Sequence, residues 1–322
     1  MRLTALSAVL TAALAATASL PAWAEAPKVV VSIKPIHSLV ASVMHGVGEP
    51  TLLVRGGASP HSYTMKPSDA KALSAADLVV WVGPELEGFL EKPLQANAPK
   101  ATRLTLMDLK SLTLLQAREG GAWEPHDHGH EHHDHDHKGH DHKDHDDDDH
   151  EELNSHIWLD PANARAIVTA TADALAAKDP ADAETYRTNA ARTLQALDTL
   201  DAELKATLAP LKDKPFVVFH DAYQYFEARY DLSAVGSITV SPDRRPSAKR
   251  LSAIRAKIAG LNAACVFSEP QFEPTLVRTV VEGTTAKTGV LDPEGADLPE
   301  GEALYPTLMR NLAASLRGCL GA

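Results

Sequence analysis

The 322-residue chain predicts an α/β protein of two (β/α) lobes with mainly parallel sheets, joined by one long rigid helix. Three observations carry this expectation. Short, continuous apolar runs bounded by turn residues look like buried parallel strands. They alternate with helical stretches in both halves, and between the halves lies a single long amphipathic stripe.

Residues 1–24 read as a signal peptide. Arg2 precedes a stretch of Leu, Ala, Thr and Val up to Leu20, and Pro21-Ala22-Trp23-Ala24 supplies a small-x-small cleavage site. The apolar run is shorter than the ~20 residues needed to span a bilayer, so no membrane anchor is expected. No cysteine adjoins the cleavage site for a lipid anchor. The expectation is an exported, soluble protein of a Gram-negative periplasm.

An N-terminal lobe is expected over 25–180. The run 28–33 leads into a helix over 37–44, and the run 52–54 leads into a glycine-rich loop and a helix capped by Ser68. The run 78–82 ends at Gly83-Pro84. Over 181–210, Tyr186, Ala190, Leu194, Leu197, Leu200, Leu204, Leu208 and Leu211 recur at steps of three and four. They mark a linking helix over about 182–209, roughly 40 Å long, with Pro180 and Pro210 as punctuation. One such helix joins the lobes stiffly, which implies small lobe movements. The alternative is a stripe that packs on one lobe alone. The C-terminal lobe, 211–322, opens with the run 216–219 and a helix from about Ala222. The run 265–267 ends at Glu269-Pro270.

Residues 126–150 read HDHGHEHHDHDHKGHDHKDHDDDDH, inside a loop over 124–152 expected to be disordered. Its histidines, His126, His128, His130, His132, His133, His135, His137, His140, His142, His145 and His150, offer interchangeable weak metal sites beside acidic neighbours. The bland reading is a solvated charge run. Ten acidic residues against two lysines place −8 of the chain's −12 formal charge there, so the remainder is only mildly acidic. Nothing in this balance suggests nucleic acid.

Cys265 and Cys319 form an even pair suited to an oxidising compartment, and a disulfide is expected. Closing a loop of that length would stabilise the fold by about 4 kcal/mol in the chain-entropy model.

Three of the remaining histidines stand at expected strand ends. His61 lies in GGASPHSYTMKPSD, His156 in NSHIWLDP and His220 in FVVFHDAYQYF. In open α/β sheets, ligands gather at the carboxyl ends of strands, and three imidazoles plus one oxygen donor suit tetrahedral zinc. His37 could line the cleft or lie outside it, and His45 looks like a helix-end residue. Asp160 reads as an N-cap with Pro161 at N1. Asp292, in GVLDPEG, is either the oxygen donor or a turn cap.

With GASPHSY, DLVVWVGPELEGF, the interrupting His/Asp-rich loop, HIWLDP, FVVFHDAYQYFE and CVFSEPQF, the chain resembles the ZnuA family of periplasmic zinc-binding proteins over essentially its whole mature length. The resemblance implies two (β/α) lobes joined by a long helix and a Zn2+ ion held between them. It also implies delivery to the membrane permease of an ABC importer. Carried over by motif, the metal ligands are His61, His156 and His220. Some members place a ligating Glu immediately before the first histidine, where this chain has Pro60, which leaves Asp292 or water as the fourth donor. A related manganese-binding group has a carboxylate at the position of His220, and imidazole there shifts preference towards zinc. A monomer is expected. Two other classes are weighed: a periplasmic zinc buffer or metallochaperone without a transporter, and a zinc hydrolase. The hydrolase reading lacks an evident general base or oxyanion site.

Overall fold

The computed structural model describes residues 25–118, 123, 152–239, 246–260 and 263–321. The expected signal peptide and the tract over 126–150 lie outside the described residues.

Each half of the chain builds a parallel sheet from short apolar segments. In the first half these are β1 (Val29–Val31), β2 (Thr51–Leu52), β3 (Leu78–Trp81) and β4 (Thr102–Thr105). The second half contributes β5 (Phe216–Val218), β6 (Ala234–Ser237), β7 (Cys265–Ser268) and β8 (Lys287–Val290). The orders are β2-β1-β3-β4 and β6-β5-β7-β8, every pairing parallel. β1, β3 and β5 are buried along their whole length, as strands covered by helices on both faces must be. In each sheet the chain moves to one side of the first strand and then to the other. This creates a switch point between β1 and β3, and another between β5 and β7.

In the first half the helices are α1 (Lys34–Met44), α2 (Pro67–Ala75), α3 (Glu91–Asn97) and α4 (Pro161–Lys178). α5 spans Ala183–Leu208, 26 residues of the expected stripe. α6 (Gln224–Tyr230), α7 (Ala248–Gly260), α8 (Thr275–Val281) and α9 (Leu304–Leu320) follow. Two expected boundaries move. Ser68 is not a cap: Pro67 takes the first helical position, which its fixed φ favours, and Asp69 accepts a hydrogen bond from the Lys66 N–H at 2.8 Å. α6 starts at Gln224 rather than Ala222, because residues 220–223 make a turn closed by the Ala222 N–H on the His220 carbonyl, 2.9 Å. Asp160 caps α4 as expected, accepting from the Ala162 N–H at 2.8 Å.

The stripe on α5 serves both halves. α5 packs on α1 and α4 from the first and on α6 and α9 from the second. One apolar core therefore runs through the molecule, taking in Val31, Val80, Trp158, Leu200, Phe216, Phe267 and Leu308. α9 crosses back onto α1, where Ser38 Oγ donates to the Glu302 carbonyl at 2.9 Å and Tyr305 Oη donates to the Trp158 carbonyl at 2.8 Å. The Lys34 ammonium donates to the carbonyls of Gly295, Ala296 and Leu298. The expected disulfide joins Cys265 of β7 to Cys319 of α9, 54 positions apart.

Candidate metal centre

The carboxyl ends of the strands carry the three histidines to one place. His61 lies on the loop after β2, steadied by Tyr63, whose hydroxyl donates to Asp69 at 2.9 Å. His156 follows β4 and opens the single helical turn Ile157–Leu159 before α4. His220 leaves β5, at the switch point of the second sheet. Ring centroids lie 5.4 Å apart for His61 and His156, 5.7 Å for His61 and His220, and 5.1 Å for His156 and His220. One ligand nitrogen from each lies within 4.8 Å of the other two. Among the described residues this is the one group of three or more His, Cys, Asp or Glu side chains so arranged.

Polar partners behind two of the rings set their direction. Both carboxylate oxygens of Glu269 lie 2.8 Å from His220 Nδ1, and Tyr223 Oη donates to Glu269 at 3.2 Å. Nδ1 therefore carries the ring proton and donates it in a hydrogen bond to the carboxylate, and Nε2 presents its lone pair to the cluster. Asn154 Oδ1 lies 2.8 Å from His156 Nδ1, which directs that ring in the same way. The two Nε2 atoms face each other at 3.2 Å. A tetrahedral zinc with bonds of about 2.0–2.1 Å to nitrogen holds its nitrogens about 3.3–3.4 Å apart. The residues present fit that ion without rearrangement of this pair. Trp158 packs beside His156 with centroids 5.3 Å apart, and its indole N–H donates to the Pro293 carbonyl at 2.8 Å. His156 and His220 are both buried, while His61 is half-buried.

The other expected residues lie elsewhere. His37 is buried on α1 with Nε2 3.0 Å from the Pro50 carbonyl, and burial pushes its pKa down. His45 meets the Glu302 carboxylate at 2.6 Å. Asp292, the expected fourth donor, is not brought into the group. Its carboxylate accepts from the backbone N–H groups of Glu294, Gly295 and Ala296 and from Gln271 Nε2, at 2.6–3.1 Å. The turn after β8 claims it, which is the capping alternative.

Sequence reasoning missed Glu269 and Asn154 as the partners of His220 and His156. Glu269 leaves β7 at the same switch point as His220, a proximity that only the sheet topology shows. Also missed was Arg118, immediately before the undescribed tract. It forms ion pairs with Asp221 and Glu227, and its guanidinium lies 3.6 Å from the Trp123 ring centroid. An antiparallel bridge pairs Gln116 with Leu153, the residue immediately before Asn154–Ser155–His156.

Two parallel-sheet lobes with imidazoles converging from the strand ends of both define a metal-capturing protein of the two-lobe binding type. Residues 29–319 match the family model described as "Zinc-uptake complex component A periplasmic". The "High-affinity zinc uptake system protein ZnuA" of Brucella abortus (strain 2308) is 51% identical over 304 residues, covering 91% of each chain. The protein of the same description from Paracoccus denitrificans (strain Pd 1222) is 41% identical over 322 residues, covering 98% of each. The fold is shared with a crystal structure of ZnuA at a TM-score of 0.73 and 24% identity, covering 92% of this chain and 99% of that one. The chain belongs to this zinc-uptake family, the periplasmic substrate-binding components of zinc ABC transporters.

Proposed function

We propose that His61, His156 and His220 bind one Zn2+ as cargo between the lobes, and that the protein delivers it in the periplasm to the membrane permease of the importer. The observation that carries this reading is the pair of Nε2 atoms at 3.2 Å, each backed by an acceptor on its Nδ1. Water completes the tetrahedron, because Asp292 is engaged by the turn after β8. Its entry as a ligand would require sharing or giving up those N–H groups.

The role is binding rather than catalysis. Glu269, the carboxylate behind His220, is committed to that ring and to Tyr223 rather than poised as a general base for a metal-bound water. Among the described residues no helix is long and apolar enough to cross a membrane. The tract from His126 to His150 would collect zinc weakly beside the cleft. The chain on either side of it pairs at Gln116 and Leu153, next to Asn154 and His156, so ions held by the tract would be tethered at high local concentration near a proposed ligand.

Isothermal calorimetry tests both parts. His61→Ala, His156→Ala and His220→Ala should each remove the tight site and leave weak multi-ion binding, and replacing 126–150 with a short linker should do the reverse. Tight binding unchanged in all three histidine variants would sink the ligand assignment. Loss of tight binding in the linker variant would mean that the tract supplies a primary ligand.

A further inference from the structure

Asn154 is buried, and every polar group it carries is used. Its backbone N–H donates to the Leu115 carbonyl at 2.9 Å, and its carbonyl accepts from Tyr225 Oη at 2.7 Å. Its side-chain oxygen accepts from the His156 backbone N–H at 3.0 Å and faces His156 Nδ1 at 2.8 Å. Its side-chain NH2 donates to the Asp221 carbonyl at 2.9 Å and to Gln224 Oε1 at 3.0 Å.

Two of these partners are backbone groups of fixed polarity, and they decide the orientation of the amide. The atom beside the Asp221 carbonyl has to be a donor, so it is Nδ2. The atom beside the His156 N–H has to be an acceptor, so it is Oδ1. With an obligate acceptor against Nδ1, the neutral His156 ring carries its proton there and keeps the Nε2 lone pair for the cluster. The other end of the same amide grips the residue that follows His220. One side chain thus fixes both the tautomer of a ligand from before α4 and its spacing from a ligand after β5.

We propose that Asn154 is a positioning residue for zinc capture, presetting His156 to coordinate through Nε2 and tying it to the segment that carries His220. This rests on the reading of His156 as a zinc ligand, and it adds a selectivity element. The 3.2 Å separation suits a small tetrahedral ion, and the amide that holds it is braced from both sides.

The test uses the full chain with zinc removed and long-range 1H–15N correlation spectra that report which ring nitrogen of neutral His156 carries the proton. In the wild type it should be Nδ1. Asn154→Ala should release the ring into a mixture of tautomers and lower zinc affinity by about 10- to 100-fold, the usual consequence of losing a partner behind a metal-bound imidazole. Asn154→Asp retains an oxygen against Nδ1 but turns an oxygen towards the Asp221 carbonyl. It should keep the Nδ1 proton and lose less affinity than Asn154→Ala.

Asn154→Ala with the Nδ1 proton in place and zinc affinity within about twofold of wild type would overturn the proposal. So would loss of that tautomer in Asn154→Asp, a variant that serves the same purpose if the alanine variant does not fold. Tight zinc binding retained in His156→Ala would instead reject His156 as a ligand. The tautomer measurement on the zinc-free protein would then still show whether Asn154 fixes the His156 ring, apart from any part in zinc capture.

Discussion

Replacing Glu269 with Gln isolates what a buried negative charge contributes to holding a cation it never touches. The substitution keeps the shape. The amide oxygen can still face His220 Nδ1 and accept from Tyr223 Oη, the contacts now made at 2.8 and 3.2 Å, while the charge is lost. Through the imidazole, the carboxylate would lie about 7 Å from the bound ion, and a −1/+2 pair at that distance is worth about 5 kcal/mol at an effective dielectric constant near 20. That is an upper bound, because neighbouring dipoles relax when the charge goes. Changes behind metal-bound imidazoles cost 10- to 100-fold in affinity, about 1.4–2.8 kcal/mol. Glu269→Gln should therefore weaken zinc binding at least tenfold, measured by competition with a chromophoric chelator, with the melting temperature of the zinc-free protein as a control for the fold. Affinity within twofold of wild type would refute the claim that this carboxylate supports the ligand electrostatically.

Asp292→Asn should leave zinc affinity within a few-fold and destabilise the zinc-free fold by about 1–3 kcal/mol in urea titration, since a carboxylate that takes three backbone N–H groups loses its charge. A collapse in affinity with the fold intact would instead make Asp292 the fourth donor. Glu87 is fully buried, and burial pushes its carboxyl up to about 7. The folded state thus holds that proton more tightly than the unfolded chain does. Its contribution is fully present below about pH 4.5 and is lost as pH rises through about 7, amounting to about 3 kcal/mol. Glu87→Gln should remove that part of the pH dependence in zinc-free urea titrations between pH 5 and 8, and an unchanged slope would reject the assignment. Spin labels at the exposed positions Lys92 and Thr279 should report a mean distance change below about 2 Å on zinc binding, given one core beneath both lobes; a change of more than about 5 Å would show hinge opening.

Much of this arrangement could be read from the chain because its signals are local. A short apolar run followed by Gly-Pro, Glu-Pro or His-Asp is visible as a strand end, and the triad inherits its place from those ends. The stripe from Tyr186 to Leu208 is equally local, so the length of α5 followed directly. Residues whose roles depend on distant partners were opaque. Glu269 and Pro270 read as turn punctuation, because nothing near them shows that His220, 49 positions earlier, will meet the carboxylate. Asn154 lies in the same motif as His156, yet its importance depends on Leu115, Asp221, Gln224 and Tyr225 converging on it. Asp292 had two readings for a physical reason: a carboxylate after a strand is suited both to a metal and to the bare N–H groups of a turn, and only the backbone path of 293–296 decides between them. The docking of α9 on α1 was similarly hidden, since an amphipathic helix shows that it has an apolar face but not what that face meets.

A continuous core limits how such a protein can release its cargo. Hinge opening would separate α9 from α1 and expose side chains such as Trp158, Tyr305 and Leu308, all nearly inaccessible now, at about 1.5–3 kcal/mol for each apolar side chain fully uncovered. It would also pull the Lys34 ammonium from three carbonyls. The three histidines proposed as ligands sit on different supports. His156 is braced by Asn154 and His220 by Glu269, both from buried positions, and His61 lies half-buried on a loop that begins with Gly56 at φ +64° and Gly57. A frame with one core beneath both lobes therefore opposes hinge opening as the route of release.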